Sequence, residues 1–367
     1  MKLDQIRNKI QQDALSHWEM HGKKGTCQII TGLGKTFISL HALYTMPKGD
    51  DKIHLFLAEQ KDRVKDLRED ILKYNKLFNR DVLNDYNLQF QCYQTVYKWT
   101  DKQFGLVISD EIHDSLSPAY SRFYLNNTYD AIIGLSATIT RETRYEVEGG
   151  FYTKGQLLDE IAPICYTYSV DDGQRDGTSR ELNIYVIYNE LEKVKKGIKS
   201  GGSKKVFYQT EYAAYNYWDK EHKRSWFILD EEKKQLKIRI TAHKRSNILY
   251  NLESKVNITN QLLSHLHGKT IIFGNSIDNL HKVTPNVISS KNKDIINDRI
   301  RDDFDNNKIK VIGSFKKLKQ GANLNNLDNC VIMSYYSTDK DFIQRIGRLR
   351  NNNKVGNVFI LLTKNTQ

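Results

Sequence analysis

The sequence predicts an α/β protein of two tandem domains, each built on a mainly parallel sheet, and three observations carry that expectation. Short apolar runs alternate with helix-patterned segments from Gly25 to about Ser136: TCQIIT, TFISLHALYTM, KIHLFLA, DRVKDLREDILKYNKLF, LQFQCYQ, FGLVIS and AIIGLS. Strand, helix, strand in this rhythm is what a parallel sheet with crossover helices requires. The same rhythm returns after Thr270 with TIIFG, NVISS, KIKVIGS, NCVIMSY and NVFILLT. A helix from about Asp294 to Phe304 sets Ile296, Ile300 and Phe304 on one face. The third observation is length, since 367 residues suit two domains of about 150 to 200 each.

The elements then parse in order. Residues 1–190 form the first domain, 191–245 a helical, basic and aromatic linker region, and 246–367 the second domain. Within the first, Tyr145 to about Leu182 reads as irregular, with turn signals at Gly149-Gly150, Asp172-Gly173 and Asp176-Gly177. The linker region mixes lysine clusters with rings (KKGIKSGGSKK, YQTEYAAYNYW, KEHKRSW) and reads as helices broken at Ser200 to Ser203. Lysines and rings together suit nucleic acid, but an amphipathic helix packed by its aromatic face on the first domain is the favoured reading.

Composition sets the class of partner. Lys plus Arg number 56 against 44 Asp plus Glu, a net charge of +12, which favours a polyanion over an acidic or neutral partner. Cys27, Cys92, Cys165 and Cys330 are scattered without a C-x-x-C pair or a histidine cluster, so neither a zinc site nor a disulfide framework is expected. The N-terminus has no apolar signal region and no run is long enough for a membrane span. The expectation is a monomer in the cytoplasm, of a bacterium or a phage-infected host, because the lysine- and asparagine-rich composition points to an AT-rich genome.

The strongest local signal is Thr31-Gly32-Leu33-Gly34-Lys35-Thr36, set between an apolar strand and a helix. A glycine-rich loop lets backbone N–H groups wrap phosphates, the helix N-terminus adds partial positive charge, and Lys35 neutralises the β- and γ-phosphates. Thr36 is expected to hold Mg²⁺ by its hydroxyl. Gly105 to Ser109 then reads as a buried strand that delivers Asp110-Glu111-Ile112-His113 at its C-terminal end, where ligands of open α/β sheets bind. Asp110 is placed to bind Mg²⁺ and Glu111 to orient and deprotonate an attacking water, which makes ATP the expected substrate.

With a P-loop followed by D-E-I-H, the chain resembles a superfamily 2 helicase of DExH type over nearly its whole length, and its motifs stand in that family's order. The resemblance implies two RecA-like P-loop domains with an ATP cleft between them. It puts Gln11, in Gln11-Gln12-Asp13-Ala14-Leu15, forward as an adenine contact, with a surface glutamine as the other reading. Cys92-Tyr93-Gln94-Thr95 resembles the turn that meets the nucleic-acid backbone, giving Tyr93, Gln94 and Thr95. Gly134-Leu135-Ser136-Ala137-Thr138 resembles the Ser-Ala-Thr motif, which implies that His113, Ser136 and Thr138 couple hydrolysis to strand binding, Thr138 also touching the strand.

In the second half, Ile271 to Ser276 resembles motif IV and contributes Asn275, while Ser314 and Lys319-Gln320-Gly321-Ala322-Asn323-Leu324 resemble motif V and contribute Ser314 and Lys319 as nucleic-acid contacts. Gln344-Arg345-Ile346-Gly347-Arg348-Leu349-Arg350 resembles motif VI. There Arg348 is the expected arginine finger, Arg345 a second phosphate ligand or a structural ion pair, and Gln344 a coupling residue. Two departures stand out. Ile29 and Ile30 occupy positions where many relatives carry a small residue or proline, and Asn351 stands where an arginine usually ends motif VI.

Within the superfamily, Ile161 to Val170, the strand Leu182 to Tyr188 and SFKKLKQGANLNNLDNCVIMSYY look most like the group of XPB-type repair helicases, restriction translocases and phage UvsW-type branch-migration helicases. That resemblance implies ATP-driven unwinding or branch remodelling in replication, recombination or repair, on DNA more readily than RNA. The alternatives are a translocase that never separates strands and an RNA helicase. A binding protein with a dead motor is disfavoured by Lys35, Asp110, Glu111 and Arg348, and a nucleotide kinase by the Ser-Ala-Thr segment and the second α/β domain.

Overall fold

The computed structural model describes residues 3–49, 51–59, 61–147, 150–199, 206–315, 324, 327–334, 349 and 355–366. The chain divides into two units, with the boundary between Arg180 and Glu181.

The first unit is laid on six parallel strands, β1 (Lys24–Ile29), β2 (His54–Ala58), β3 (Leu88–Cys92), β4 (Gln103–Asp110), β5 (Thr128–Ser136) and, after the short antiparallel pair β6 (Arg144–Val147) and β7 (Gly150–Thr153), β8 (Ile164–Tyr168). Their order across the sheet is β3-β2-β4-β5-β1-β8. Every strand in such a sheet has both faces covered and so reads as a continuous apolar run; Phe104 to Asp110 is buried throughout. On one face the helices Leu3–Met20, Lys35–Leu43 and Lys61–Phe78 bring Trp18, Ile38, Leu40, Leu67, Ile71 and Tyr74 against the sheet. On the other, Tyr93, Ile112, Phe123, Leu157 and Leu158 close the second layer.

The second unit holds β9 (Leu182–Asn189), the antiparallel pair β10 (Lys196–Lys199) and β11 (Val206–Gln209), then β12 (Lys269–Gly274), β13 (Val287–Ile288), β14 (Val311–Phe315), β15 (Leu327–Ile332) and β16 (Gly356–Thr363). Its sheet runs β13-β14-β12-β15-β16-β9, parallel throughout. The helix Asp294–Asp305 buries Phe304 as its apolar face requires.

Three expectations are corrected. The strand from Leu182, assigned to a first domain ending at 190, pairs along its full length with β16 and so belongs to the second sheet. The stretch Tyr145 to Leu182 is regular: a hairpin, a capped helix Lys154–Ile161, β8 and a capped helix Val170–Arg175 fill it. The region 191–245 opens on the β10–β11 pair and continues into helices Glu211–Ser225 and Glu231–Tyr250 within the second unit. The buried face of the first helix, Ala214 and Tyr215, meets Ile248 and Leu252, so its packing partner is the next helix. All four cysteines are buried, and no helix among the described residues is long and apolar enough to cross a membrane.

Candidate active site

Three strands of the first sheet deliver the predicted motifs to one edge. β5 lies between β1 and β4, so the loop after β1, the carboxylates after β4 and the Ser-Ala-Thr segment after β5 emerge side by side at the C-terminal ends, where a parallel sheet presents its ligand site.

The loop after β1 turns through two left-handed glycines, Gly32 at φ 92° and Gly34 at φ 78°, and Gly34 caps the helix Lys35–Leu43. A side chain at Gly34 would be strained by that φ, and its Cβ would fall 2.5 Å from Gln11 Nε2. Gln11 is buried and its amide donates to the Leu33 carbonyl at 2.9 Å, so it braces the loop. Leu33 anchors the loop in the core, while Thr31 and Gly32 are half-buried.

Lys35 Nζ lies 3.6 Å from Glu111 Oε1 and donates to the Ile29 carbonyl at 3.3 Å. Glu111 sits at φ 51°, a left-handed conformation that a side chain of its kind seldom adopts. That backbone bend turns its carboxylate from the strand toward the lysine. Glu111 Oε2 is 3.4 Å from His113 Nδ1, and the same nitrogen is 2.7 Å from Ser136 Oγ. Ser136 Oγ in turn donates to the Thr138 carbonyl at 2.8 Å. A hydroxyl has one proton, so with that bond made His113 Nδ1 is the donor to Ser136. His113, Ser136 and Thr138 are thereby brought into one chain of contacts with Glu111.

Thr36 and Asp110 also converge, and a residue that the sequence reading passed over joins them. The Arg63 guanidinium donates from Nε to Asp110 Oδ2 at 2.7 Å and from Nη2 to Thr36 Oγ1 at 2.8 Å. Its third nitrogen reaches Asp70 Oδ2 at 3.4 Å. Burial works against the arginine's charge, yet Asp110 and Asp70 more than offset it, and its pKa is raised. The sequence alone does not mark it: β2 pairs with β4, Leu57 beside Ser109, and only that pairing brings the helix after β2, and Arg63 on it, next to Asp110. The two oxygens bridged by this cationic group, one carboxylate and one hydroxyl, are of the kind that would hold a divalent cation. Mg²⁺ at phosphate sites takes one or two carboxylates plus phosphate oxygens and water, which is the protein share found here.

Tyr93 is corrected. Rather than facing a strand of nucleic acid, its ring is buried and its hydroxyl donates to the Asp110 carbonyl at 2.8 Å; burial pushes that hydroxyl well above its usual pKa. Gln94 and Thr95, on the short helix Tyr93–Val96, are exposed, and Thr138 is half-buried. In the second unit Ser314 lies in β14 opposite Phe273 of β12, and Asn275 follows the end of β12. The side-chain polar atoms of both are buried without a hydrogen-bond partner among the described residues. Lys319, Gln344, Arg345 and Arg348 lie outside the described residues.

Comparison with known proteins agrees with this layout. The family model for the res subunit of type III restriction enzymes matches residues 3–141, and that for the helicase conserved C-terminal domain matches 254–352. The chain is also 23% identical over 383 residues to the DNA 3'-5' translocase XPB2 of Sulfurisphaera tokodaii, an alignment that spans 98% of this chain and 83% of that protein. The chain is a superfamily 2 helicase. It is accordingly an ATP-hydrolysing enzyme. Over a shorter stretch, 67 residues, the helicase is 31% identical to the mitochondrial ATP-dependent RNA helicase MRH4 of Debaryomyces hansenii, covering 18% of this chain and 11% of that one.

The helicase fold is similar to the ATP-dependent Type ISP restriction-modification enzyme LlaBIII bound to DNA, with a TM-score of 0.62 at 13% identity. That match covers 96% of the helicase but only 27% of the restriction enzyme's chain. It is also similar to the Hef helicase domain of Pyrococcus furiosus, with a TM-score of 0.54 at 13% identity over 100% of the helicase and 97% of that chain.

Proposed function

We propose that the helicase is an ATP- and Mg²⁺-dependent DNA motor that unwinds strands or remodels branches in replication, recombination or repair. The observation that carries this reading is the convergence of Lys35, Thr36, Asp110 and Glu111 at the C-terminal ends of β1 and β4.

In this reading the N–H groups around Gly32, Leu33 and Gly34 bind the phosphates at the start of the helix Lys35–Leu43, and Lys35 leaves Glu111 to meet them. Glu111, released, orients the attacking water and accepts its proton. Thr36 and Asp110 would hold Mg²⁺, which would supply charge neutralisation to the bound phosphates. Gln11 reads the adenine edge, and Arg348, with Arg345, offsets the charge that develops on the γ-phosphate. His113, Ser136 and Thr138 pass the state of Glu111 to the strand-binding surface of the first unit, where Gln94 and Thr95 stand exposed.

Asn275 supports a nucleic-acid role for the second unit. A buried polar group without a partner costs about 1–3 kcal/mol, which a phosphate or sugar oxygen would offset at the half-buried Asn275 side chain; Ser314 and Lys319 are proposed to join it on the strength of the motif V resemblance alone. DNA is favoured by the XPB2 translocase and by the DNA-bound restriction enzyme among the similar proteins. We place the helicase in the cytoplasm and as a monomer.

Steady-state ATP hydrolysis without polymer, and with single-stranded DNA, branched DNA or RNA, tests the proposal, with Glu111→Gln as control. Stimulation by DNA that the control lacks is the expected result. Equal rates with and without polymer would overturn it, and stimulation by RNA alone would move the track to RNA. A fork substrate in the same series separates strand opening from translocation alone.

A further inference from the structure

Arg63 takes no part in the hydrolysis just proposed, yet its guanidinium occupies the position where Thr36 and Asp110 converge. All three of its nitrogens are used: Nε on Asp110, Nη2 on Thr36 and Nη1 on Asp70. The side chain is 13% exposed and that of Asp110 10%. A Mg²⁺ ion sits about 2.0–2.1 Å from each ligand oxygen, whereas the arginine nitrogens already lie 2.7 and 2.8 Å from the same two oxygens. The ion and the guanidinium cannot occupy that space together.

The arrangement has a physical cause. Asp110 is a carboxylate largely removed from water, with the half-buried Asp70 near by, and a buried charge left unpaired is strongly unfavourable. An arginine answers this better than a lysine because its charge is permanent and its planar fork spans two acceptors at once. It can therefore leave the site only by swinging on its stem. Asp70, seven positions along the same helix, offers a pivot that does not depend on the other two contacts.

We propose that Arg63 is an internal stand-in for the metal, holding Thr36 and Asp110 together in the nucleotide-free helicase until Mg²⁺ arrives bound to nucleotide and displaces it. Free Mg²⁺ must compete with the guanidinium, so the metal enters with the phosphates and not before them. The displaced guanidinium, still tethered at Asp70, is left beside the phosphates, for which its fork geometry is suited. This inference rests on the assignment of Thr36 and Asp110 to the metal.

The test is a Mn²⁺ titration of the full-length, nucleotide-free protein, reading free Mn²⁺ by its EPR signal. Arg63→Met is expected to bind Mn²⁺ at least about tenfold more tightly than wild type, because the exposed carboxylate now needs a cation, and adding Asp110→Asn to it is expected to abolish the gain. Melting temperature gives a second readout: Mn²⁺ should stabilise Arg63→Met and leave wild type unchanged. A folded Arg63→Met protein that binds Mn²⁺ no better than wild type overturns the proposal. Should the methionine variant not fold, Arg63→Lys replaces it, since a single ammonium cannot span both oxygens; a gain supports the stand-in role and equal binding overturns it. Loss of the motor reading would show instead as absent ATP hydrolysis in wild type, a result independent of the Mn²⁺ titration.

Discussion

Glu111 concentrates several constraints in one residue. Its left-handed backbone, its 3.6 Å approach to Lys35 and its 3.4 Å approach to His113 are all consequences of ending a buried strand on adjacent carboxylates. Replacing it with glutamine keeps the size and removes the base. Hydrolysis is expected to fall by about 10²–10⁴-fold while ATP binding, followed with a fluorescent analogue, is retained. Loss of binding in parallel with turnover would assign Glu111 to holding the loop and not to chemistry. Tyr93 makes the opposite case. It carries the right residue type for stacking, but its hydroxyl supports the Asp110 carbonyl from beneath. Tyr93→Phe should destabilise the protein by about 1 kcal/mol, measured by denaturant unfolding, and leave DNA affinity unchanged. A fall in affinity without a fall in stability would restore the ring to the strand-binding surface.

At the scale of elements, much was legible because parallel strands buried on both faces leave apolar runs that need no partner to be recognised. The P-loop was legible for a related reason: its two left-handed positions admit little but glycine. Gly34→Ala should therefore fail twice, from a φ of 78° and from the approach of Gln11 Nε2. The left-handed conformation alone costs roughly 1–2 kcal/mol, and nucleotide affinity should fall with it; an alanine variant with wild-type affinity would show that the loop tolerates another path. Other elements were not legible because their partners are remote. The strand Leu182–Asn189 pairs with Gly356–Thr363, and nothing local distinguishes an edge strand of one sheet from that of another. Arg63 was missed because an arginine at a charged helix start looks like any solvated residue until the strand before that helix is placed next to the one that ends on Asp110. The link from His113 through Ser136 to Thr138 depends equally on strand order. Ser136→Ala is expected to keep basal hydrolysis and lose stimulation by DNA, which the same ATPase series would read directly; unchanged stimulation would remove the serine from the coupling path.

For the whole molecule, the pH dependence of stability follows from buried groups other than the proposed phosphate and metal ligands. Burial pushes Lys255 down to about 8 from 10.5, and the buried Glu211 offsets this only in part. Between those values the unfolded chain holds a proton that the folded chain has shed, so stability rises with pH across that window. The rise is on the order of 3 kcal/mol, at 1.36 kcal/mol per pH unit of difference. Tyr74, Tyr124 and Tyr166 act with the opposite sign. Burial pushes each up to about 12, so above pH 10 the folded chain keeps protons that the unfolded chain loses, and stability falls. Lowered values for His41 and His222, again from burial first, remove stability as pH drops below about 6.5. These terms together place the maximum on the alkaline side of neutrality, at about pH 9 to 10. Urea unfolding of the full chain between pH 6 and 11 should trace that curve, and Lys255→Met should flatten the rising limb while leaving the tyrosine limb intact. A rising limb that survives Lys255→Met would assign the effect to another buried base and show that Lys255 stays charged in its site.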